Sequence, residues 1–457
     1  MNELDEIKDK IDLVEYIGKY VPLKQSGRNF KGLCPFHSEK TPSFMVSPDK
    51  QIWHCFGCNE GGDIITFVEK IDGLTFPEAA KELAKKAGVR LPQGLNTAKE
   101  PNNKLYEINE LTCQSFEKAL LQPEGKRAAD YLTKRGLNKE TIECFRLGYA
   151  PQQGEVVTKE LSSLGFSRED LVRAGVSTVR GDRVIDQFRN RLIFPIASSQ
   201  GKIIGFSGRV LDDSLPKYIN TPETPIYHKS RILYGFDKAK EQARKQDHII
   251  LVEGNMDVIF SHQAGVKNVA ASSGTALTED QLNLIKRFTK NIKISFDVDM
   301  AGINATRRAI ELAWEKGFNL KVIEISEGKD PADLVNSDPK KWVNACKKAK
   351  YVVDYIFDST FSKYDITNIL NKKRATKELL GVISRLPDPV EREHYLTELS
   401  SRVGVSLQAL VEALRKAKHP AKAKEIEEIK KKSIRPKSLE EHAFSLQIGR
   451  ASCRERV

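Results

Sequence analysis

Four side chains near the start of the chain have the types and spacing of a metal site. Cys34-Pro35-Phe36-His37 and Cys55-Phe56-Gly57-Cys58 together read C-x2-H-x17-C-x2-C. Two close ligand pairs separated by a hairpin-sized insert can close a tetrahedron around Zn2+. Four protein ligands leave no open position for water, so one structural zinc is expected. His54 lies beside Cys55 but would disrupt the two-pair geometry and is read as a surface residue. Arg28, Lys31, Lys40 and Lys50 stand around the cluster, interleaved with Phe30, Phe44, Trp53 and Phe56. Cations can hold phosphates while bases stack on rings, so Trp53 is assigned to single-stranded DNA and Phe44 to the core. The blander reading is that these rings pack a core too small to stand without zinc.

A second constellation is acidic. Glu253 ends the apolar run Ile249–Val252, and Asp297-Val298-Asp299 follows the run Ile292–Phe296. The two-residue period of a strand places Asp297 and Asp299 on one face. Asp330, in Lys329-Asp330-Pro331-Ala332-Asp333, follows a third strand-like run at Leu320–Ile325. Ligand sites of open α/β sheets form at the carboxyl ends of strands, so these acids can converge. Hard oxygen ligands suit Mg2+ or Mn2+ that also holds substrate phosphates. Two such ions can activate a hydroxyl and steady a pyrophosphate leaving group. Any one of these acids alone would be an ordinary solvated strand end; their succession carries the signal. Upstream, residues 183–231 hold eight Lys/Arg against four acids, interleaved with Phe188, Phe206, Tyr218 and Tyr227. That is the pattern of a groove that tracks a single strand, and polyphosphate chemistry needs such cations nearby.

The elements that must position these groups follow from the pattern of the chain. With 457 residues, two to four domains are expected. The hydrophobic fraction is 40%, the charged fraction 30% and the mean hydropathy −0.44, a globular profile without a membrane-length apolar run. The N-terminus carries no secretory pattern. Three of the seven cysteines sit in the metal cluster and the others are scattered singly, which fits a reducing compartment better than a disulfide framework. Residues 3–20 have the spacing of an amphipathic helix, and Gly27–Cys58 reads as a small β-sheet. Helices are expected at 61–72 and 76–87, the second ended by Gly88. Pro92–Asn103 reads as a linker. Strands are expected at Arg191–Ile196 and Lys202–Phe206. From His248 the order is strand, helix, strand, helix, strand, with a Thr278-x-x-Gln281 capping box opening one helix, and this alternation argues for an open α/β sheet. Residues 350–417 read as mostly helical.

Taken together, these motifs resemble bacterial replicative primases of the DnaG type. The likeness is carried by Cys-Pro-Phe-His…Trp-His-Cys-Phe-Gly-Cys, Phe188-Arg189-Asn190-Arg191, Gly205-Phe206-Ser207-Gly208-Arg209 and Pro216-Lys217-Tyr218-Ile219-Asn220-Thr221-Pro222-Glu223. Glu253-Gly254-Asn255-Met256-Asp257, Ser273-Gly274-Thr275-Ala276 and Asp297-Val298-Asp299-Met300-Ala301-Gly302 continue it, in the family's order over about residues 1–415. The resemblance implies an α/β multidomain chain: a small zinc-ribbon-like β domain, then an RNA polymerase domain with a Toprim parallel-sheet core and a helical C-terminal subdomain. It implies primer synthesis de novo, with single-stranded DNA template, NTPs and the RNA primer–DNA hybrid as partners. It also implies a monomer in the bacterial cytoplasm, at the replication fork and nucleoid, with no membrane partner. Glu253, Asp297 and Asp299 take the place of the metal-binding acids, supported by Asp257 and Asp330. Arg209, Lys217 and Lys229 take that of the nucleotide-binding cations, and Arg189, Arg191, Tyr218 and Asn220 that of the template ridge.

The chain departs from the family at Asn255, where Tyr is usual, and at Val298, where Gly is common; neither supplies a catalytic group. Ala332 stands where many members carry a second acid, and Asp333 is kept as a substitute ligand. A topoisomerase or nuclease with the same fold, and a DNA-binding protein with a decayed site, are the competing readings. No Gly-Lys pair is followed by Ser or Thr, so there is no P-loop.

The expected boundaries are 1–91 for the zinc domain, 92–103 for the linker, 104–245 for a basic subdomain, 246–345 for the Toprim subdomain and 346–417 for the helical subdomain. A basic linker follows at 418–437. Residues 438–447 are read as the start of a helicase-binding domain that is otherwise missing, and 448–457 as an adapter-derived tail. The formal net charge of +12 is concentrated late: residues 414–437 hold ten Lys/Arg against three acids, so the preceding part is only mildly basic.

Overall fold

A computed structural model describes residues 3–418 except 38, 40, 73, 75, 91–101, 275–276, 296–301 and 326. Asp297, Asp299, most of the 92–103 linker and everything assigned to 419–457 therefore lie outside the described residues. The structure divides into two units, Met1–Val352 and Val353–Val457.

The amphipathic run expected as one helix over 3–20 is two, Glu3–Lys10 and Leu13–Gly18. Asp12 makes the break: its side chain accepts from the Glu15 N–H at 2.7 Å, an N-cap that starts a new helix where the periodicity alone would continue the old one. An antiparallel meander follows, in the order Lys24–Ser26, Asn29–Gly32, Phe44–Ser47, Ile52–Cys55, Gly61–Gly62. Helices Ile64–Asp72 and Phe76–Ala87 close over it, and Gly88 at φ +65° ends the second as expected. The core beneath holds Ile7, Leu13, Phe44, Val46, Trp53 and Phe67.

Next comes an antiparallel sheet ordered Tyr218–Asn220, Ile203–Val210, Arg191–Ala197, Gly148–Ala150, packed on the long helix Asn103–Leu121. A third sheet is ordered Val269–Ala271, Ile249–Val252, Asn291–Ser295, Asn319–Val322, all parallel, with Lys350–Tyr351 antiparallel at its edge. Ile249–Val252 is buried at every residue, as a strand covered on both faces must be. The Thr278 capping box is present at the start of Glu279–Lys286. The second unit is helical: Ile369–Ile383, Pro389–Val403 and Leu407–Lys418 follow Val352–Lys363, with Asn368 and Asp388 as N-caps. Among the described residues no helix is long and apolar enough to cross a membrane.

Candidate functional site

The ribbon brings its four expected ligands together. Cys34, His37, Cys55 and Cys58 place one donor atom each within 4.8 Å of the others. Cys34 Sγ lies 3.9 Å from Cys58 Sγ, and Cys55 Sγ lies 3.8 Å from His37 Nδ1. A tetrahedral zinc with ordinary bond lengths asks for separations of about 3.6–3.8 Å, so the donors fit the ion. Against burial, the Ser43 hydroxyl and the Cys58 and Gly57 amides hold the Cys55 thiol below its usual range, whereas burial pushes the Cys34 and Cys58 thiols up. Gly57 is required by close approach: a Cβ there would lie 2.6 Å from His37 Nε2 and 2.8 Å from Ser43 Oγ.

Trp53 is not the exposed platform expected. It is 1% exposed, stacked on Phe44 with centroids 5.3 Å apart, and its indole N–H donates to the Asp63 carbonyl at 3.0 Å. In the strand Ile52–Cys55, Trp53 shares the inward face with the ligand Cys55, so the same alternation that buries the metal site buries the ring. Phe56 is 74% exposed, and the half-buried His54 meets it edge-on at 4.7 Å.

At the third sheet, Val252 pairs in register with Ser295. Glu253 follows the first of these directly, and the segment with Asp297 and Asp299 follows the second. Glu253 is exposed, whereas Asp257, one helical turn later, is buried. Asp257 accepts from the Gly254 N–H at 3.0 Å and from the Ala332 N–H at 3.3 Å, which ties the Glu253 loop to the Asp330 loop. Burial first, then the Asp330 and Glu253 charges, push its carboxyl up to about 7, against the two amides that favour the anion. Asp330 caps the helix Pro331–Ser337 by accepting from the Asp333 N–H at 2.7 Å. Glu253, Asp257 and Asp330 are thus brought together. Asp333 is half-exposed in the first turn of that helix, and the nearby Ala332 contributes its amide rather than a side chain.

Arg209 and Tyr218 are direct cross-strand partners, so they share a face with Asn220. The Arg209 guanidinium lies 5.6 Å from the Tyr218 ring and 5.1 Å from that of Tyr131, with its Nη1 3.3 Å from the Tyr218 hydroxyl. Desolvation of its hydroxyl pushes Tyr218 up, with Arg209 pulling it back. Arg191 pairs with Val210 and so belongs to the opposite face. It is 9% exposed, and its Nη1 donates to the carbonyls of Gly208, Pro216 and Lys217. It braces the loop that presents the exposed Lys217 instead of joining an open ridge. Arg189 is half-buried and donates to the Asp186 carbonyl at 2.5 Å, and Lys229 is partly exposed on the turn Lys229–Arg231. Phe188, Phe206 and Tyr227 are core residues, leaving Tyr218 as the ring of the basic stretch open to solvent. Tyr131, from the helix Lys126–Lys134, is absent from the sequence reading because nothing in its surroundings there ties it to Arg209.

A zinc ribbon followed by a basic sheet and a parallel sheet rimmed with acids defines a class that joins nucleotides on a nucleic-acid template. Known families agree in the same order along the chain. The CHC2 zinc finger matches residues 1–99, the N-terminal domain of the DNA primase catalytic core 115–240, a Toprim-like domain 250–335 and the DnaB-helicase binding domain of primase 353–408. The DNA primase of Clostridium acetobutylicum is 40% identical over 416 residues, covering 90% of this chain and 69% of that protein. That of Halalkalibacterium halodurans is 41% identical over 426 residues, covering 89% and 69%. Among solved structures, the zinc-binding and RNA polymerase domains of the Aquifex aeolicus primase align with a TM-score of 0.59 at 32% identity, covering 90% of this chain and 99% of that one. A DnaG primase catalytic domain bound to ssDNA aligns with a TM-score of 0.59 at 33% identity, covering 66% and 97%. The chain belongs to the bacterial DnaG-type DNA primases. It is a DNA primase, a DNA-directed RNA polymerase that makes RNA primers.

One expectation is overturned here. The helicase-binding domain is not missing: its family matches residues 353–408, the stretch read from sequence as the helical subdomain of the polymerase. Four amphipathic helices carry no motif that tells a catalytic subdomain from a docking one, so periodicity found the helices without showing that the helicase-binding family lies in them.

Proposed function

We propose that primer synthesis takes place between the acids Glu253, Asp297 and Asp299, backed by Asp257 and Asp330, and the basic strand that carries Arg209. The observation that supports this most directly is the Asp257 carboxylate, which accepts from the Gly254 and Ala332 amides and so joins the Glu253 strand end to the Asp330 loop. In this reading the three acids hold Mg2+ or Mn2+, which supplies positive charge to the reacting phosphate and to the departing pyrophosphate. Arg209, Lys217 and Lys229 bind the triphosphate, and Arg189, Tyr218 and Asn220 orient the template. The 3′-hydroxyl oxygen of one nucleotide attacks the α-phosphorus of the next, and the bond to the β-phosphate breaks to release pyrophosphate. The chain contributes chiefly by alignment and by fixed charge. The zinc module, with Phe56 and Lys31 outward, serves single-stranded DNA. Residues 353–408 meet the replicative helicase in the cytoplasm, at the fork.

Asp297→Ala is expected to abolish NTP-dependent RNA products on a single-stranded template while gel-shift binding of that template survives. Primers made at the wild-type rate by this variant would remove Asp297 from the site.

A further inference from the structure

Beside the zinc ligands, one carboxylate gathers more hydrogen bonds than an ordinary loop acid. Glu39 is 10% exposed at its side chain. Its Oε1 accepts from the Cys34 N–H at 2.7 Å and from the Ser43 N–H at 3.0 Å. Its Oε2 meets the Ser43 hydroxyl and lies 3.3 Å from His37 Nε2. The Ser43 hydroxyl lies 3.1 Å from Cys55 Sγ, and the Ser43 carbonyl accepts from the Phe56 N–H at 3.0 Å. One carboxylate therefore touches, directly or through Ser43, three of the four ligands: Cys34, His37 and Cys55.

The His37 ring is decisive. Its Nδ1 faces Cys55 Sγ at 3.8 Å, the separation two ligands of one tetrahedral ion require, while its Nε2 faces Glu39. An imidazole bound to metal through one nitrogen carries its proton on the other, and that N–H needs an acceptor when it is turned inward. Glu39 supplies it. The absent side chain of Gly57 leaves the room, since a Cβ there would overlap both His37 Nε2 and Ser43 Oγ.

We propose that Glu39 is a positioning residue of the zinc site, accepting the Nε2 proton of His37 so that the ring ligates through Nδ1, and fixing Cys34 and the Cys55 turn through amide and hydroxyl hydrogen bonds. The inference rests on the zinc reading of the four-ligand cluster and is independent of where primers are made. Such partners of metal ligands typically set affinity by about 10–100-fold.

The test uses the full-length protein. Zinc affinity by competition with a chromogenic chelator is expected to fall about 10–100-fold in Glu39→Ala and to recover most of that loss in Glu39→Gln, whose carbonyl can still accept. In Co2+-substituted protein the d–d absorption of Glu39→Ala should shift in energy and intensity, which a loss of loop packing remote from the metal would not cause. The third measurement needs only the zinc-loaded wild type. Nitrogen-15 shifts of the one histidine that responds to chelation should report a protonated Nε2 and a metal-bound Nδ1. A metal-bound Nε2, or unchanged zinc affinity in folded Glu39→Ala, overturns the proposal. A wild-type protein that takes up no zinc would overturn the four-ligand site and this inference together.

Discussion

Asp257 is the residue on which the acidic site turns, because it is the member of the cluster that pays the least attention to solvent. Buried beside Asp330 and Glu253, its carboxyl is pushed from the ordinary 3.8 up to about 7. Between those two pH values the folded chain keeps a proton that the unfolded chain has already released. Unfolding then loses protons, and stability falls as pH rises across the window. The contribution is full below about pH 4 and gone above about pH 7. In zinc-replete protein kept free of Mg2+ and Mn2+, thermal melting from pH 5 to 7.5 should decline more steeply in the wild type than in Asp257→Asn. The difference should be on the order of a few kcal/mol by this linkage. A divalent cation should restore the wild type at pH 7.5 more than the variant, since a cation replaces the missing proton. Parallel pH profiles for the two proteins would count against the burial of this charge. The spacing Glu253-x3-Asp257 was readable in the sequence, but the environment that shifts the carboxyl was not. It depends on burial and on the Asp330 charge, and the Asp330 loop reaches Asp257 only after the chain has passed through three further strands.

Elements decide which side chains meet, and here the sequence reading was weakest. Glu253 at a strand end, the two ligand pairs and the alternation of strands and helices could all be inferred, because each depends on local period and spacing. The aromatic residues could not. Trp53, Phe188 and Phe206 lie among cations in the chain, yet Trp53 and Phe206 fall on the inward faces of their sheets, Phe188 packs inward from a loop, and each is at most 1% exposed. Arg191 and Arg209 look alike in sequence, yet the register that pairs Arg191 with Val210 and Arg209 with Leu192 sends them to opposite faces. Tyr131 is the converse case, a helical residue of no motif that lies within cation–π distance of Arg209. Such contacts contribute about 0.5–2 kcal/mol, depending on desolvation. If the two tyrosines hold the guanidinium for the triphosphate, Tyr131→Leu should raise the KM for NTPs about 2–30-fold with kcat nearly unchanged, the range that energy implies. Tyr131→Phe, which keeps the ring, should stay close to wild type. A fall in kcat with KM unaltered would place Tyr131 in the chemistry instead of in binding.

At the scale of the first unit, the question is what holds the ribbon to the polymerase core. The contact rests on Arg244, at the end of the helix Phe236–Lys245 and only 8% exposed. Its Nη2 donates to the carbonyls of Lys70 and Ile71, each at 2.6 Å, and its guanidinium lies 4.9 Å from the Phe288 ring. Those carbonyls belong to the last turn of Ile64–Asp72, where a helix leaves acceptors unsatisfied and its dipole favours a cation. Burial pushes the neighbouring Asp72 carboxyl up, with Lys240, Lys86 and Arg244 pulling it back, so the seam is polar and enclosed on both sides. Hydrogen bonds from a charged donor contribute about 1.5–3 kcal/mol each, and truncating Arg244 also leaves two carbonyls without their partner. Arg244→Ala should therefore free the ribbon without unfolding it. Small-angle scattering should give a larger radius of gyration, and zinc content should stay at one ion per chain. Arg244→Lys, with a single ammonium that cannot present the planar fork, should fall between the two. If scattering from Arg244→Ala superimposed on the wild type, the docking would have to rest on the apolar contacts of the seam, and the guanidinium would be a passenger on it.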